Sequence, residues 1–540
     1  MKKLVLLLVA VLAVQTGWAQ QDALVFFESK ASVAEALANP STILTQVSLD
    51  RKAMHNVAID ERDVPVDENN INLLKAETGI TVHAKSKWMN AAYVRGSQTN
   101  IEDLVSNEYV ASVEFMDKSL NFAPASPSTF DDKFEFENNL VSTVYNYGDA
   151  TNQTEMIHID FVHEQDFTGD GMIIAVMDSG FPNVFTNPAF SHIVDDNRFL
   201  GTYDFALRQT NVDGTGSHGA RTLSDIGAIV ENEFVGTAPD ASFYLFRTEF
   251  GPSENPVEEA WWVEALERAD SLGVNVVNTS LGYQDYDNAA YDHSFEDLDG
   301  QTTIGSRGAN LAFDKGMILV TSGGNDGNGF GTVASPADAP GVLSIGAVDS
   351  EGDYASFSSR GPTVDGRIKP DVMAQGASAA VVSENGNVTT NSGTSFSSPI
   401  MAGAVASLWQ SRPGTPNGQL MQIIRESAHL FDNPTNEMGY GIPNFESAYQ
   451  ALQVLSIEDA LLEINFAIYP NPVKDVINVS FPKHIAQATL RLYNILGSKV
   501  LEQKISASSN SIEVADLKSG VYLASISAEG KTNSFKVIKE

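Results

Sequence analysis

Uninterrupted apolar runs recur through the middle of the chain. Between residues 145 and 455 they alternate with segments of helical length at 258–272 and 399–410. Strands that helices cover on both faces read as continuous apolar stretches, because neither face meets water. We therefore predict an α/β domain at 145–455, in which helices sandwich a parallel sheet whose strands include residues 173–177, 274–277, 318–320 and 342–348.

The residues before this domain follow a different pattern, in which short apolar strands flank an amphipathic stretch. A helical spacing of apolar residues lies at 101–106. Strands are predicted at 43–49, 89–94 and 110–115. The pattern indicates a small α+β unit at 20–122, and the polar stretch with proline and serine that follows it indicates a linker at 123–144.

The end of the chain changes pattern again. After a helical join at 451–462, apolar and polar residues alternate in short segments separated by turns. This alternation is typical of strands with one buried face, and it predicts an all-β module, a β-sandwich within 456–540. Its predicted strands lie at 476–481, 489–493, 511–514 and 520–526.

The first residues carry the features of a secretory signal peptide. Met1-Lys2-Lys3 is basic, residues 4–14 form an apolar run too short to span a bilayer, and small residues precede a predicted cut after Ala19. We therefore expect residues 1–19 to direct export. The sequence offers no later segment with the length and apolar character of a transmembrane helix.

Charge and cysteine content narrow the classes of function. Acidic residues outnumber basic ones 69 to 33 in a chain of 540, for a formal net charge of -36. Such a surface repels phosphate backbones, so nucleic acid is not an expected partner. Cysteine is absent, which excludes disulfides, thiol catalysis and a lipid-modified cysteine anchor.

Four motifs place chemically active side chains at strand ends and helix starts. Asp178 ends the run at 173–177, and Asn325 follows the strand at 318–320. His218 lies in a loop of small residues, and Ser395 follows Asn-Ser-Gly-Thr at the start of a helix. Each has an ordinary structural interpretation taken singly: strand-end or helix caps for Asp178 and Ser395, a turn for Asn325, a surface or core histidine for His218.

Together the motifs resemble the subtilase (subtilisin-like, S8-type) family of serine peptidases, in which aspartate, histidine, asparagine and serine motifs occur in this order. Three further stretches are similar to the family: Asn-Thr-Ser-Leu-Gly at 278–282, Ser-Arg-Gly-Pro at 359–362 and Ile-Lys-Pro-Asp at 368–371. The resemblance implies a subtilisin-like fold and a secreted endopeptidase that needs no cofactor.

The resemblance also implies a role for each motif residue. Ser395 would attack the peptide carbonyl, His218 would accept and return its proton, and Asp178 would hold the imidazole. Asn325 and the Ser395 backbone N–H would form the oxyanion hole. The substrate peptide would lie between two backbone edges, Ser280-Leu281-Gly282 and Ser322-Gly323-Gly324, and the small Ala334 at the pocket floor would favour large apolar side chains; packed core is the alternative for Ala334.

Two features depart from a simple match. The family usually carries a second histidine three residues before the catalytic one, where this chain has Thr215. The acidic loop 283–300 follows the predicted substrate edge, and calcium sites are common among subtilases. Its spacing is not that of an EF-hand, so we assign no metal ligands and interpret the loop as a solvated rim.

The flanking regions resemble known modules as well. Residues 90–94, 101–104 and 110–114 are similar to the subtilase propeptide, an inhibitor of its own protease; an ordinary adaptor domain is the alternative. Motifs at 469–472, 492–497 and 517–522 resemble the type IX secretion sorting domain (type A) of Bacteroidetes, with a carbohydrate- or protein-binding sandwich as the alternative. The implied partners are protein or peptide substrates, the propeptide and the secretion machinery.

The implied location is the exterior or cell surface of a Gram-negative, Bacteroidetes-like bacterium. Two other functions compete with the peptidase. A catalytically silent adhesin could keep the fold, although all four chemical residues are present. A serine esterase is the second, although the spacing around Ser395 is not Gly-x-Ser-x-Gly.

Overall fold

The computed structural model describes residues 20–121, 145–214, 216–327, 329–462, 466–481, 485–494, 499–528 and 531–540. It divides after Ala451 into two compact units. The predicted signal peptide, the predicted linker and Thr215 lie outside the described residues. Among the helices in these ranges, none has both the length and the apolar character needed to cross a bilayer.

The first part of unit one is a four-stranded antiparallel sheet with strand order β2-β3-β1-β4. Both faces of this sheet are buried. On β3, Ala92 and Val94 pack into the sheet's own core, whereas Ala91 and Tyr93 pack against the second part of the unit. The elements are β1 (Gln20–Phe27), α1 (Val33–Ala38), α2 (Gln46–Met54), α3 (Glu68–Ala76), β2 (Ile80–Ser86), β3 (Ala91–Ser97), α4 (Gln98–Asp103) and β4 (Val110–Phe115).

The prediction of a strand at 43–49 is wrong. The chain turns into helix α2 there, and the Thr45 hydroxyl caps the helix by accepting from the Ser48 N–H. The buried side of α2 is polar, formed by Ser48, Arg51 and Lys52. The apolar residues of α2 therefore do not recur with a helical period, and the sequence pattern does not indicate a helix.

The second part of unit one is built on a seven-stranded sheet, whose order is β13-β12-β11-β10-β5-β9-β6. Its strand pairs are parallel, and α8 with α11 and α9 with α10 form the helix pairs packed on it. The predicted α/β fold is confirmed. The elements up to the centre of the sheet are α5 (Thr151–Glu155), α6 (Ile159–Glu164), β5 (Ile173–Asp178), α7 (Ser191–Asp195), β6 (Phe199–Asp204), α8 (His218–Gly227), β7 (Ile229–Val230), β8 (Phe234–Val235), β9 (Ser242–Arg247), α9 (Val257–Leu272) and β10 (Val276–Thr279).

The remaining elements of this part complete the sheet and its cover. Helix α11 contacts β10 through β13, and its central residues are fully buried. The elements are α10 (Ile304–Asp314), β11 (Ile318–Ser322), β12 (Val342–Val348), β13 (Val372–Gln375), β14 (Ala379–Val382), β15 (Val388–Asn391), α11 (Thr394–Gln410), α12 (Asn417–Glu426) and α13 (Phe445–Leu462).

Unit two is a β-sandwich, as predicted. Two antiparallel sheets, with orders β16-β17-β20 and β19-β18-β21-β22, share one apolar core that includes Ile477, Leu490 and Ile526. Alternating residues of each strand face this core, which explains the two-residue period. The strands are β16 (Ala467–Tyr469), β17 (Val476–Ser480), β18 (Gln487–Tyr493), β19 (Lys499–Ser506), β20 (Ser511–Glu513), β21 (Gly520–Ala528) and β22 (Lys531–Lys539).

Candidate active site

The motif residues meet at one edge of the parallel sheet. Asp178 is the last residue of β5. The stretch at 280–282 follows the neighbouring strand β10, and the stretch at 322–324 begins at the last residue of β11. His218 is the first residue of α8, and Ser395 is the second residue of α11. Carboxyl ends of parallel strands form a crevice, and these side chains lie around it.

A buried carboxylate holds the imidazole of His218. The Nδ1 atom of His218 lies 2.9 Å from each carboxylate oxygen of Asp178, whose side chain is fully buried. The Ser179 N–H and the Thr222 hydroxyl donate to the same carboxylate at 2.7 and 3.2 Å. The negative charge of Asp178 raises the pKa of His218 above its ordinary value, against the opposing effect of burial.

Small residues allow α8 to approach β5 this closely. A Cβ atom on Gly219 would lie 2.5 Å from the Gly180 carbonyl oxygen and 2.8 Å from the Asp178 Cβ. Such contacts leave no room for a side chain. The small-residue loop around His218 is therefore a condition of the bond between His218 and Asp178.

The start of α11 packs against the same imidazole. Phe396, the residue after Ser395, packs its ring 5.9 Å from the His218 ring, centroid to centroid. The Ser395 hydroxyl donates to the Ser280 carbonyl oxygen at 3.2 Å. The imidazole itself is 35% exposed, so His218 faces the crevice between Asp178 and the start of α11.

A proline fixes the bonding at the start of α11. Pro399 has no N–H, so the Ser395 carbonyl, four residues earlier, lacks its helical partner. The Ser280 hydroxyl replaces that partner and donates to this carbonyl at 2.8 Å. Ser280 and Ser395 are therefore bonded to each other twice, and the strand end after β10 is held against the helix start.

The side chain of Asn325 has a defined orientation. Its Oδ1 atom accepts from the Thr394 N–H at 2.9 Å and from the Thr394 hydroxyl at 3.1 Å, which leaves the Nδ2 hydrogens to face elsewhere. A Cβ atom on Gly393, whose φ is +148°, would lie 3.7 Å from both Asn325 Nδ2 and the Ser395 N atom. The two donors thus border the same small space.

The two predicted substrate edges are backbone segments at the mouth of the crevice. The Gly323 N–H donates to the Ile345 carbonyl at 2.8 Å, and the Tyr283 N–H donates to the Ser335 carbonyl at 2.7 Å. Leu281 is half-buried, whereas Gly282 is exposed. Ala334 is buried, and a Cβ atom on Gly282 would lie 3.5 Å from the Ala334 Cβ, so Ala334 lies directly beneath one edge.

One residue of this region was not found from the sequence. Glu249 lies two residues after β9, and its carboxylate accepts from the Tyr283 hydroxyl at 2.8 Å and from the Thr248 hydroxyl at 3.1 Å. Burial, together with the nearby charges of Glu254 and Asp178, raises the pKa of Glu249. A glutamate after a strand gives no sequence signal beyond that of a surface charge.

The acidic loop after the first edge is bonded to protein groups. Asp292 accepts from the Tyr286 N–H, Asp299 accepts from the N–H groups of residues 301 and 302, and Asp297 pairs with Lys118 at 2.7 Å. Across the described ranges, no three histidine, aspartate or glutamate side chains lie close enough together to hold a metal ion. The interpretation of the loop as a solvated rim is wrong for Asp297, because Lys118 belongs to the first part of unit one, the N-terminal domain.

Models of three protein families match separate parts of the chain. The Subtilase family model matches residues 169–441, the model of the Bacteroidota peptidase S8 propeptide domain matches residues 22–132, and the model of the secretion system C-terminal sorting domain matches residues 467–540. The three resemblances read from the sequence are confirmed.

Individual proteins are similar over the same regions. Membrane-bound transcription factor site-1 protease of Homo sapiens is 30% identical over 309 residues, which cover 55% of this chain but only 27% of that protein. Subtilisin E of Bacillus subtilis is 28% identical over 384 residues, covering 69% of this chain and 84% of that protein.

Among solved structures, that of MycP1 with the N-terminal propeptide removed aligns with 55% of this chain and 96% of its own, at 21% identity and a TM-score of 0.43. The subtilase model alone spans about half of the 540 residues, on the segment that carries all four motif residues. The chain belongs to the subtilase family of serine peptidases.

Proposed function

We propose that this chain is an exported serine endopeptidase with Asp178, His218 and Ser395 as its catalytic triad. His218 Nε2 takes the proton of the Ser395 hydroxyl as that oxygen attacks the peptide carbonyl. It then gives the proton to the departing amine. Asp178 holds the imidazole in the tautomer with the proton on Nδ1 and stabilises the cation that forms.

The contact between Asp178 and His218 carries this proposal. A fully buried carboxylate costs free energy unless it is paired, and here it is bonded to an imidazole that faces the crevice. The Ser395 hydroxyl must turn from the Ser280 carbonyl toward His218. In this proposal the hydroxyl turns by rotation about the Cα–Cβ bond of Ser395.

The oxyanion hole in this proposal consists of Asn325 Nδ2 and the Ser395 N–H. Thr394 orients the amide by donating twice to Asn325 Oδ1, so the donor is in place before the charge develops. The position of Ser395 in the first turn of α11 adds the positive end of the helix dipole.

Specificity for the side chain before the cleaved bond (P1) follows from the floor of the pocket. The P1 side chain would enter between Ser280-Leu281-Gly282 and Ser322-Gly323-Gly324, with Ala334 beneath it. A methyl group leaves space and offers no charge, so we propose a preference for large apolar P1 residues.

The flanking domains serve inhibition and export in this proposal. The propeptide domain lies against α9 and α10, where Arg307 forms a two-pronged ion pair with Glu114 at 2.9 Å. It would block the crevice until it is removed. The sorting domain would direct the enzyme through the type IX secretion system to the cell exterior or surface.

Labelling with a fluorophosphonate tests the catalytic proposal. Once the propeptide domain has been cleaved off, the protein should take up the probe, Ser395→Ala treated in the same way should not, and Ser392→Ala, which changes an exposed serine three residues earlier, should be labelled like the wild type. Hydrolysis of casein should follow the same order. Absence of labelling would favour the adhesin, and cleavage of lipid esters without cleavage of casein would favour the esterase.

A further inference from the structure

Several buried carboxylates in this protein are paired with a cation, and others are held in the described residues by hydrogen bonds alone, among them Asp225, Glu267 and Asp338. Asp204 pairs with Arg247 at 2.7 Å, Asp371 with Lys369 at 2.7 Å, and Glu259 with His293 at 2.7 Å. The pairing is expected, because an ionised group removed from water needs an opposite charge or several hydrogen bonds.

Glu249, at the wall of the crevice, is one of the buried carboxylates without a cation partner. The residue is only 8% exposed, and within the described residues no lysine, arginine or histidine forms an ion pair with it. Both of its hydrogen bonds are made by Oε1, from Tyr283 and Thr248. Among the same residues, Oε2 has no hydrogen-bond donor.

The second buried carboxylate in this neighbourhood has a structural task. Glu258 accepts from the Phe250 N–H at 2.7 Å and from the Asn255 N–H at 3.3 Å, so it fastens the loop that leads into α9. Glu249 fastens no backbone. A neutral glutamine would accept the same hydrogen bond from Tyr283, so this bond does not explain why an acidic residue occupies position 249.

Strand order places Glu249 on one side of the proposed substrate path. Strand β10, which leads into the edge at 280–282, lies between β11 on one side and β5 with β9 on the other. Glu249 follows β9, and the Thr248 N–H donates to the Asp178 carbonyl, so this segment lies directly beside the end of β5. Glu249 is therefore on the side of Asp178 and His218, opposite the P1 floor at Ala334.

An extended peptide turns successive side chains to opposite sides. If the P1 side chain enters between the two edges over Ala334, the preceding side chain (P2) points toward β5 and β9. This step rests on the proposed function. We propose that Glu249 is a specificity-determining residue that selects lysine or arginine at P2.

The surrounding charges favour such a ligand. The titratable groups that face Glu249 are Asp178 on β5, His218 on α8, Glu254 and Glu258 around the start of α9, and Tyr283. Asp178 and Glu254 place negative charge near Glu249, and burial opposes the ionised form of Glu249. A cationic side chain at P2 would relieve both effects, since charge-assisted bonds strengthen in a desolvated site.

Matched peptides test this inference. The substrates share a P1 phenylalanine and differ only at P2, which is lysine, norleucine or glutamate. The value of kcat/KM is measured after the propeptide domain has been cleaved off, with Ser395→Ala treated in the same way as the blank. The wild type should prefer lysine to norleucine by about tenfold or more. Glu249→Gln keeps an acceptor for Tyr283 and should bring that ratio close to one, whereas Glu231→Gln, at an exposed glutamate that is not among the groups facing Glu249, should leave it unchanged.

A charge reversal covers the case in which Glu249→Gln folds poorly. Glu249→Lys should prefer glutamate to lysine at P2, a gain that loss of folding cannot produce. A ratio near one in the wild type, or a lysine preference kept by Glu249→Gln, would overturn the inference while the peptidase proposal stands. Hydrolysis that is equally fast in Ser395→Ala would overturn the proposed function and this inference together.

Discussion

At the candidate active site, His218 and Asn325 are each oriented by a single neighbouring residue. Asp178 binds Nδ1 of His218, and Thr394 binds Oδ1 of Asn325. In both cases the opposite end of the side chain is left to face the crevice. In the proposed mechanism, groups oriented in advance need little reorganisation when the transition state forms.

The pKa of His218 predicts how the rate depends on pH. His218 must be neutral to accept a proton, so the raised pKa makes kcat/KM fall as the pH drops through that value. Asp178→Asn removes the charge that raises the pKa. We expect kcat/KM to fall about 10⁴-fold and the acidic limb of its pH profile to move to lower pH.

Rate profiles from about pH 5 to pH 9 measure both effects. The control is Asp213→Asn, which removes an exposed carboxylate from the loop before His218 and should change neither the rate nor the limb. An acidic limb that stays in place in Asp178→Asn would contradict the role assigned to Asp178.

The Asn325 amide gives a second prediction at the residue scale. Asn325→Ala removes a donor that binds the developing oxyanion more strongly than the ground-state carbonyl, so kcat should fall by about 100- to 1000-fold with little change in KM. Steady-state kinetics on a peptide substrate measure the two constants. The exposed Asn385→Ala should match the wild type, and a loss confined to KM would argue against the oxyanion role.

The sequence located these residues because each lies in a local motif. Small residues, which these positions require, flank Asp178, His218, Asn325 and Ser395 in the chain. Gly219, for example, follows His218 and packs against Asp178. Glu249 has no such flank, since its partner Tyr283 is 34 residues away and meets it only in the folded chain. Long-range pairs of this kind cannot be read from a single sequence.

At the scale of elements, the start of α11 depends on the bond that replaces the missing helical N–H at Pro399. Ser280→Ala should leave the Ser395 carbonyl without its partner and lower the free energy of unfolding by about 1–3 kcal/mol. Adding Pro399→Ala restores an N–H at that position. The double variant should therefore recover part of the loss.

Urea denaturation in a Ser395→Ala background, which prevents self-digestion, measures these differences. The single variant Pro399→Ala provides the reference for the effect of alanine at that position. Strict additivity of the two substitutions would show that Ser280 and Pro399 do not act on the same carbonyl.

The same distinction between local and distant partners explains which elements were predicted. The strands of the parallel sheet were found because both their faces are apolar, as at Val342–Val348. Helix α2 was missed because Ser48, Arg51 and Lys52 form its buried face and are satisfied by groups from α9 and beyond. A helix that buries charges resembles a surface segment until its counterions are known.

At the scale of the whole first unit, charges cross the boundary between the N-terminal domain and the α/β domain in both directions. Arg51 and Lys52 pair with Asp270 on α9 at 2.5 and 2.7 Å. In return, Asp63 pairs with Lys315, which follows α10, at 2.7 Å. All five side chains are nearly or fully buried. The cluster therefore forms only while the N-terminal domain, the propeptide domain, is packed against the α/β domain.

Removing the central carboxylate should therefore weaken the attachment of that domain. Asp270→Asn leaves two buried cations without their shared partner, and we expect the free energy of unfolding of the full chain to fall by about 3–5 kcal/mol. Asp314→Asn breaks the exposed pair with Arg62 across the same boundary and should cost less than about 1 kcal/mol. Urea denaturation of both variants in the Ser395→Ala background tests the contrast. Equal losses would mean that the buried cluster holds the propeptide domain no more firmly than a surface ion pair does.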